Sequence, residues 1–182
     1  FPIEAVDDSL VDAAQTVTII ASSAGYEDGD ALLDVLDDDQ LQRLLTVLKK
    51  DKNRTVCGIV LFLLSTGARL NEALQARWAL IDVENRVWRI PARSSKSGCS
   101  RGVPLNDAAL EVLSKQDTED EFEHVFINRQ TGLPYTTIQK VWERLRKKAG
   151  LEHVRIHDLR DSYASMLVNR RRARYEVQQS LG

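Results

Sequence analysis

The 182-residue sequence has few of the residues that build stapled folds or metal centres. Two cysteines, Cys57 and Cys99, cannot make a disulfide framework or a cysteine zinc site. The three histidines, His124, His153 and His157, show no metal-ligand spacing, so no metal is expected. No apolar run approaches the roughly 18 residues that span a bilayer. Phe1-Pro2-Ile3-Glu4 lacks the basic start of a secretory signal. Together these absences point to a reducing, cytoplasmic setting and away from membranes. Basic residues are missing from the first 42 positions, which carry 11 Asp and Glu.

What is present is ordinary in amount and uneven in placement. Apolar residues make up 43% and charged residues 29%, too apolar for global disorder and enough for one cored domain with an attached arm. All 25 basic residues fall in 43–182, with arginine outnumbering lysine 17 to 8. The net charge of −2 therefore hides a cationic body behind an acidic arm. Such a surface can attract a polyanion, and the arginine fork suits phosphate oxygens. A mixed, solvated surface is equally compatible with composition alone. Residues 1–36 read as an acidic N-terminal arm or the remnant of an inter-domain linker. Within them Val17 to Ala21 suits a short strand or an anchor, and Ser22 to Asp30 a loop.

The body, 37–182, opens on Asp37-Asp-Asp39, a helix start, followed by Leu41, Leu44, Leu45 and Leu48 at helical spacing. A second helix, Val56 to Leu64, stops at Ser65-Thr66-Gly67, and a short one runs from Arg69 to about Arg77. Val87 to Ile90 and Gly102 to Leu105 then form a hairpin around the polar stretch 93–100. Asn106-Asp107 caps a helix to about Lys115. His124 to Ile127 reads as a strand, and Asn128 to Pro134 as a loop. Helices follow from Thr136 or Thr137 to Gly150, from His157 to Asn169, and from Arg174 onward. The expected class is mixed α+β, mainly α-helical with a small antiparallel sheet.

Three places offer chemistry. His157 and Arg160 lie at i and i+3, on one face of a helix whose Ile156, Leu159, Tyr163 and Leu167 are core candidates. Arg69 opens a helix after Gly67, where unpaired N–H groups would favour an anion, and Glu72 lies one turn on, able to hold its guanidinium. Lys96 sits at the hairpin tip among Ser94, Ser95, Ser97 and Gly98. Each also has a plain alternative: a surface Arg beside a His, a helix-stabilising ion pair, a solvated turn lysine.

Taken together, Thr66-Gly-Ala-Arg-Leu-Asn-Glu-Ala-Leu74, the Lys96 hairpin, His157-Asp-Leu-Arg-Asp-Ser-Tyr-Ala164 and Leu181-Gly182 resemble, in order and spacing, the tyrosine recombinase (phage integrase) catalytic domain over residues 37–182. The resemblance implies that family's fold. It implies site-specific DNA recombination or integration, in which a tyrosine attacks a DNA phosphate to form a 3′-phosphotyrosyl bond. Arg69, Lys96, His157 and Arg160 match the catalytic positions and Glu72 the supporting acid, with Arg93, Arg101 and Arg155 as expected DNA-binding residues. The partners implied are duplex DNA and further copies of the chain, as a tetramer on two duplexes. No cofactor is implied.

The resemblance stops at Gly182, where the third motif would continue with His or Trp and then the tyrosine. Tyr26, Tyr135, Tyr163 and Tyr175 do not match its position, so no nucleophile is assigned within the chain and strand cleavage by it is not expected. Asp161 departs from the usual basic residue or histidine, with Arg155 or Arg174 as candidate ion-pair partners. The rival readings are a non-catalytic integrase-like DNA-binding or regulatory module, and a protein-interaction domain whose basic face meets a neighbour's acidic arm.

Overall fold

A computed structural model describes residues 18–21, 29–32, 35–92 and 100–169, with side chains described for 35–92 and 100–167. Lys96, Arg93, Cys99, the helix expected from Arg174, and Leu181-Gly182 lie outside the described residues. In the arm, β1 (Thr18–Ala21) pairs antiparallel with β2 (Gly29–Leu32), so Gly29 and Asp30 are strand rather than loop.

The body is organised around α2 (Arg54–Thr66), a helix apolar on nearly every face, which therefore has to be enclosed. Val56, Cys57, Ile59, Val60, Phe62 and Leu63 are fully or almost fully buried. Around it pack α3 (Leu70–Leu74), α4 (Asp107–Ser114) and α6 (Asp158–Asn169). Phe62 joins this layer to the sheet: its ring lies 5.2 Å from Trp88 and 5.5 Å from Phe126, both tilted, the arrangement that aromatic quadrupoles favour.

The expected helix starts are present. Asp37 caps α1 (Asp38–Lys50) by accepting from the Gln40 amide at 2.7 Å, while the Gln40 side chain accepts from the Asp37 amide at 3.1 Å. Asn106 caps α4 and also donates to the Ser65 carbonyl at 2.8 Å, tying that start to the end of α2. α5 (Gln139–Lys148) ends with Gly150 at φ +67. Burial of Trp142 and Leu145 follows the expected stripe.

The sheet is larger than expected. β3 (Ile81–Asp82), β4 (Val87–Ile90) and β5 (Arg101–Pro104) form one antiparallel sheet in that order, with Trp88 opposite Val103 and Ile90 opposite Arg101. Trp88, Ile90 and Val103 face the core. A second small hairpin, β6 (Ile127–Asn128) with β7 (Leu133–Pro134), replaces the strand expected at 124–127 and takes in both ends of the expected loop. His124 itself makes only an isolated bridge to Arg77. That bridge accounts for the early end of α3: the chain leaves the helix at Gln75 to pair with the 123–125 segment.

Two polar links fix the layers. Leu36, buried in the core, donates its amide to Ser162 Oγ at 3.0 Å, and Ser162 Oγ donates to the Asp158 carbonyl at 2.8 Å. Asp51, at the end of α1, receives Arg144 at 2.5 and 2.9 Å and Lys148 at 3.1 Å from α5. No helix among the described residues is long and apolar enough to cross a membrane.

Candidate active site

The site begins at the end of α2. Thr66 Oγ1 donates to the Phe62 carbonyl at 2.6 Å, and Gly67 turns the chain at φ +63, in the left-handed region that suits glycine. The reversal carries the chain through buried Ala68 to Arg69, and it aims the Gly67 carbonyl at α6, where it accepts from Arg160 Nη1 at 3.2 Å. Residues 91 positions apart, Arg69 and Arg160, are thereby brought to one place.

Glu72 sits at the centre, its side chain only 2% exposed. Its carboxylate accepts from the Arg69 amide at 2.8 Å and from Arg69 Nη1 at 3.3 Å. It also receives the full fork of Arg101, Nη1 to Oε1 at 2.9 Å and Nη2 to Oε2 at 3.0 Å. This changes two expectations. The Arg69 amide, the first of the N–H groups expected to favour an anion, is already taken by Glu72, and α3 has only five residues. Arg101, expected as a DNA contact, turns inward at the first residue of β5, with a side chain 9% exposed.

The electrostatics follow from this crowding. Burial, then the charges of Arg69 and Arg101, push the Arg160 guanidinium down to about 10, against the pull of Glu72 and Asp161. Burial also lowers Arg101, opposed by Glu72 and assisted by Arg69. Arg69 and Arg101 thus share the Glu72 carboxylate, and Arg160 lies close enough to feel both of them as well as Glu72 and Asp161. An anion placed beside them would relieve that excess.

His157 stands exposed on the turn before α6, and its carbonyl accepts the Arg160 amide at 2.9 Å, so the two share the first turn as expected. Leu159 and Tyr163 are buried and anchor that turn. Arg155 pairs with Asp158, Nε to Oδ1 at 3.0 Å, whereas Asp161 was the partner suggested by sequence. The reason is local: Asp158 is buried one turn after Arg155 and also accepts its amide at 2.6 Å. The half-buried Asp161 carboxyl is raised by burial, against the lowering effect of His157. Sequence reasoning missed the roles of Arg101, Asp158 and Ser162 in holding this site. Only the i,i+3 spacing of Arg155 and Asp158 signalled any of them in advance.

The model of the phage integrase family matches residues 34–182. The chain belongs to the phage integrase family. It is 35% identical over 123 residues to the integrase of Salmonella phage P22, covering 61% of this chain and 32% of that one. To the tyrosine recombinase XerA of Saccharolobus solfataricus it is 33% identical over 135 residues, covering 74% and 43%. This family member thus spans between about a third and under half of those relatives' lengths. Among solved structures, the lambda integrase catalytic core superposes with a TM-score of 0.67 at 19% identity, over 81% of this chain and 90% of that one. XerH site-specific recombinase bound to its difH substrate gives 0.66 at 27% identity, over 81% and 46%. The mainly helical fold with small antiparallel sheets is therefore that of tyrosine recombinase catalytic domains.

Proposed function

We propose that residues 37–182 form the phosphate-handling part of a site-specific DNA recombinase, of the tyrosine type, and that residues 1–36 are a linker to it. The observation that carries this reading is the convergence of Arg69 and Arg160, from α2–α3 and α6, beside a buried carboxylate that orders one of them. Phosphoryl transfer depends on positioning and on charge at the non-bridging oxygens, which two guanidinium groups can supply. When a tyrosine oxygen attacks the phosphorus, the bond to the 5′ oxygen breaks and that oxygen takes a proton. Lys96 is the donor in this proposal, and His157 accepts the tyrosine's proton. Arg93 and Arg155 contact flanking phosphates. A tetramer on two duplexes, in the cytoplasm, is the assembly the reading implies. The nucleophile is not assigned within these 182 residues.

Fluorescence anisotropy on a duplex at several salt concentrations tests the reading. Log affinity should fall linearly with log salt, by about 0.9 per phosphate neutralised. Arg69→Ala and Arg160→Ala should each weaken binding and reduce the slope magnitude by about 1. Salt-insensitive binding, or two alanine variants that bind like the parent, would refute it. A suicide substrate should give no covalent adduct with this chain; one mapped to Tyr163 or Tyr175 would overturn the nucleophile assignment.

A further inference from the structure

The proposed role of Arg69 raises a problem that the structure answers. A buried carboxylate one turn from a cation should capture it, and a captured guanidinium has little charge left for a phosphate. We infer that Arg101 is a positioning residue: it is the dedicated counter-ion of Glu72, and by neutralising that carboxylate it keeps the charge of Arg69 available to DNA.

The geometry divides the work unequally. Arg101 covers both oxygens of Glu72 at 2.9 and 3.0 Å, whereas Arg69 Nη1 donates to Oε1 at the longer distance of 3.3 Å. Arg101 is also the less accessible of the two, with side-chain exposures of 9% against 27%. Both Nη atoms of its fork are on Glu72, and its Nε is buried without a hydrogen-bond partner among the described residues. Rigid backbone sets its place: Arg101 pairs with Ile90 in the β4–β5 ladder, and Glu72 is locked in α3 by the Arg69 amide. The guanidinium that touches Glu72 best is thus the one least able to touch DNA. Without Arg101, Arg69 is the cation already in contact with Glu72, at 3.3 Å, and would take the full charge of that carboxylate.

The inference rests on the DNA-binding reading above, and the test separates the two. Arg101→Met should weaken duplex binding about tenfold, the size of one charge-assisted hydrogen bond. Adding Glu72→Gln to it should restore affinity to within about threefold of the parent, because the Glu72 charge that draws Arg69 inward is gone. If Arg101 instead contacts phosphate directly, the second substitution will not rescue, and the idea fails. Should Arg101→Met not fold, comparing Glu72→Gln with the double variant decides equally well: affinities alike within about twofold support the counter-ion role, and a further tenfold loss refutes it. Nitrogen NMR of the Arg69 guanidinium in the DNA-free chain gives an independent readout. Rotation about its Cζ–Nε bond should slow in Arg101→Met and speed up in the double variant. Unchanged rotation in Arg101→Met overturns the inference even if DNA binds. If the parent chain does not bind DNA at all, the recombinase reading fails while the NMR result still decides the role of Arg101.

Discussion

Two buried carboxylates, Asp51 and Glu72, each face two cations, yet they do different work. Asp51 is 1% exposed and receives Arg144 and Lys148, whose side chains remain 44% and 53% exposed on α5. Its cations come from one helix, one turn apart, and the result is a clamp between the end of α1 and α5. Glu72 draws its cations from two different places, the cap of α3 and the first residue of β5, and has a third, Arg160, close enough to be disfavoured by them. In the first cluster the negative charge is more than matched by groups already half in water, so no field is left over in the interior. In the second, the surplus cations are sunk into the protein, where water screens them less. The lesson is that a buried acid next to arginines can mean a joint or a charge reservoir, and the burial of its partners tells which.

Substitutions should separate the two clusters. The largest effect on stability belongs to Asp51→Ala, expected to cost about 2–3 kcal/mol by urea unfolding, below a fully buried pair because Arg144 and Lys148 stay half in water. Its affinity for duplex DNA should be unchanged; a loss like that of Arg69→Ala would dissolve the contrast. Gly67→Ala should follow, at about 1–2 kcal/mol, since a side chain at φ +63 meets the steric penalty of the left-handed region. It should also weaken DNA binding, because Arg160 loses its fixed carbonyl. A third prediction concerns pH. Arg144 chiefly, with Lys148 and the Asn53 amide, holds the Asp51 carboxyl far below the usual carboxylate range despite its burial. A depressed folded-state value means that this stabilisation is present above about pH 4, the unfolded value, and drains away as pH falls below it. Urea midpoints measured from pH 6 to 3 should therefore flatten in Asp51→Asn. The smallest effect is at Cys57, whose thiol burial pushes up to about 11. Alkylation of Cys57 should track unfolding and be negligible in native buffer.

Sequence carried the helices well because their signals are local. Asp37, Asn106, Gly67 and Gly150 mark ends through chemistry within a turn of themselves. The two-residue strands β3, β6 and β7 had no such signal, since a period cannot be read from two residues. α3 proved shorter than its pattern because a pairing with residues 123–125, some 50 positions away, pulls the chain out of the helix. The site shows the same division. The Arg69–Glu72 contact follows from spacing along one turn, and so does the shared turn of His157 and Arg160. The Arg101–Glu72 fork joins residues 29 apart and depends on the register of a hairpin against a helix. No periodicity encodes that, and from its sequence Arg101, beside a polar loop, reads as a DNA contact like Arg93 and not as a counter-ion.

The Ser162 hydroxyl has a mechanical consequence. It takes the amide of Leu36 on one side and gives its proton to the Asp158 carbonyl on the other. The peptide entering the domain and the helical turn that bears Arg160 are thus connected in series through a single oxygen atom. A pull or twist on the chain ahead of Leu36 is therefore passed two ways at once, into the hydrophobic interior through the Leu36 side chain and into the helical turn of Arg160 through that hydroxyl.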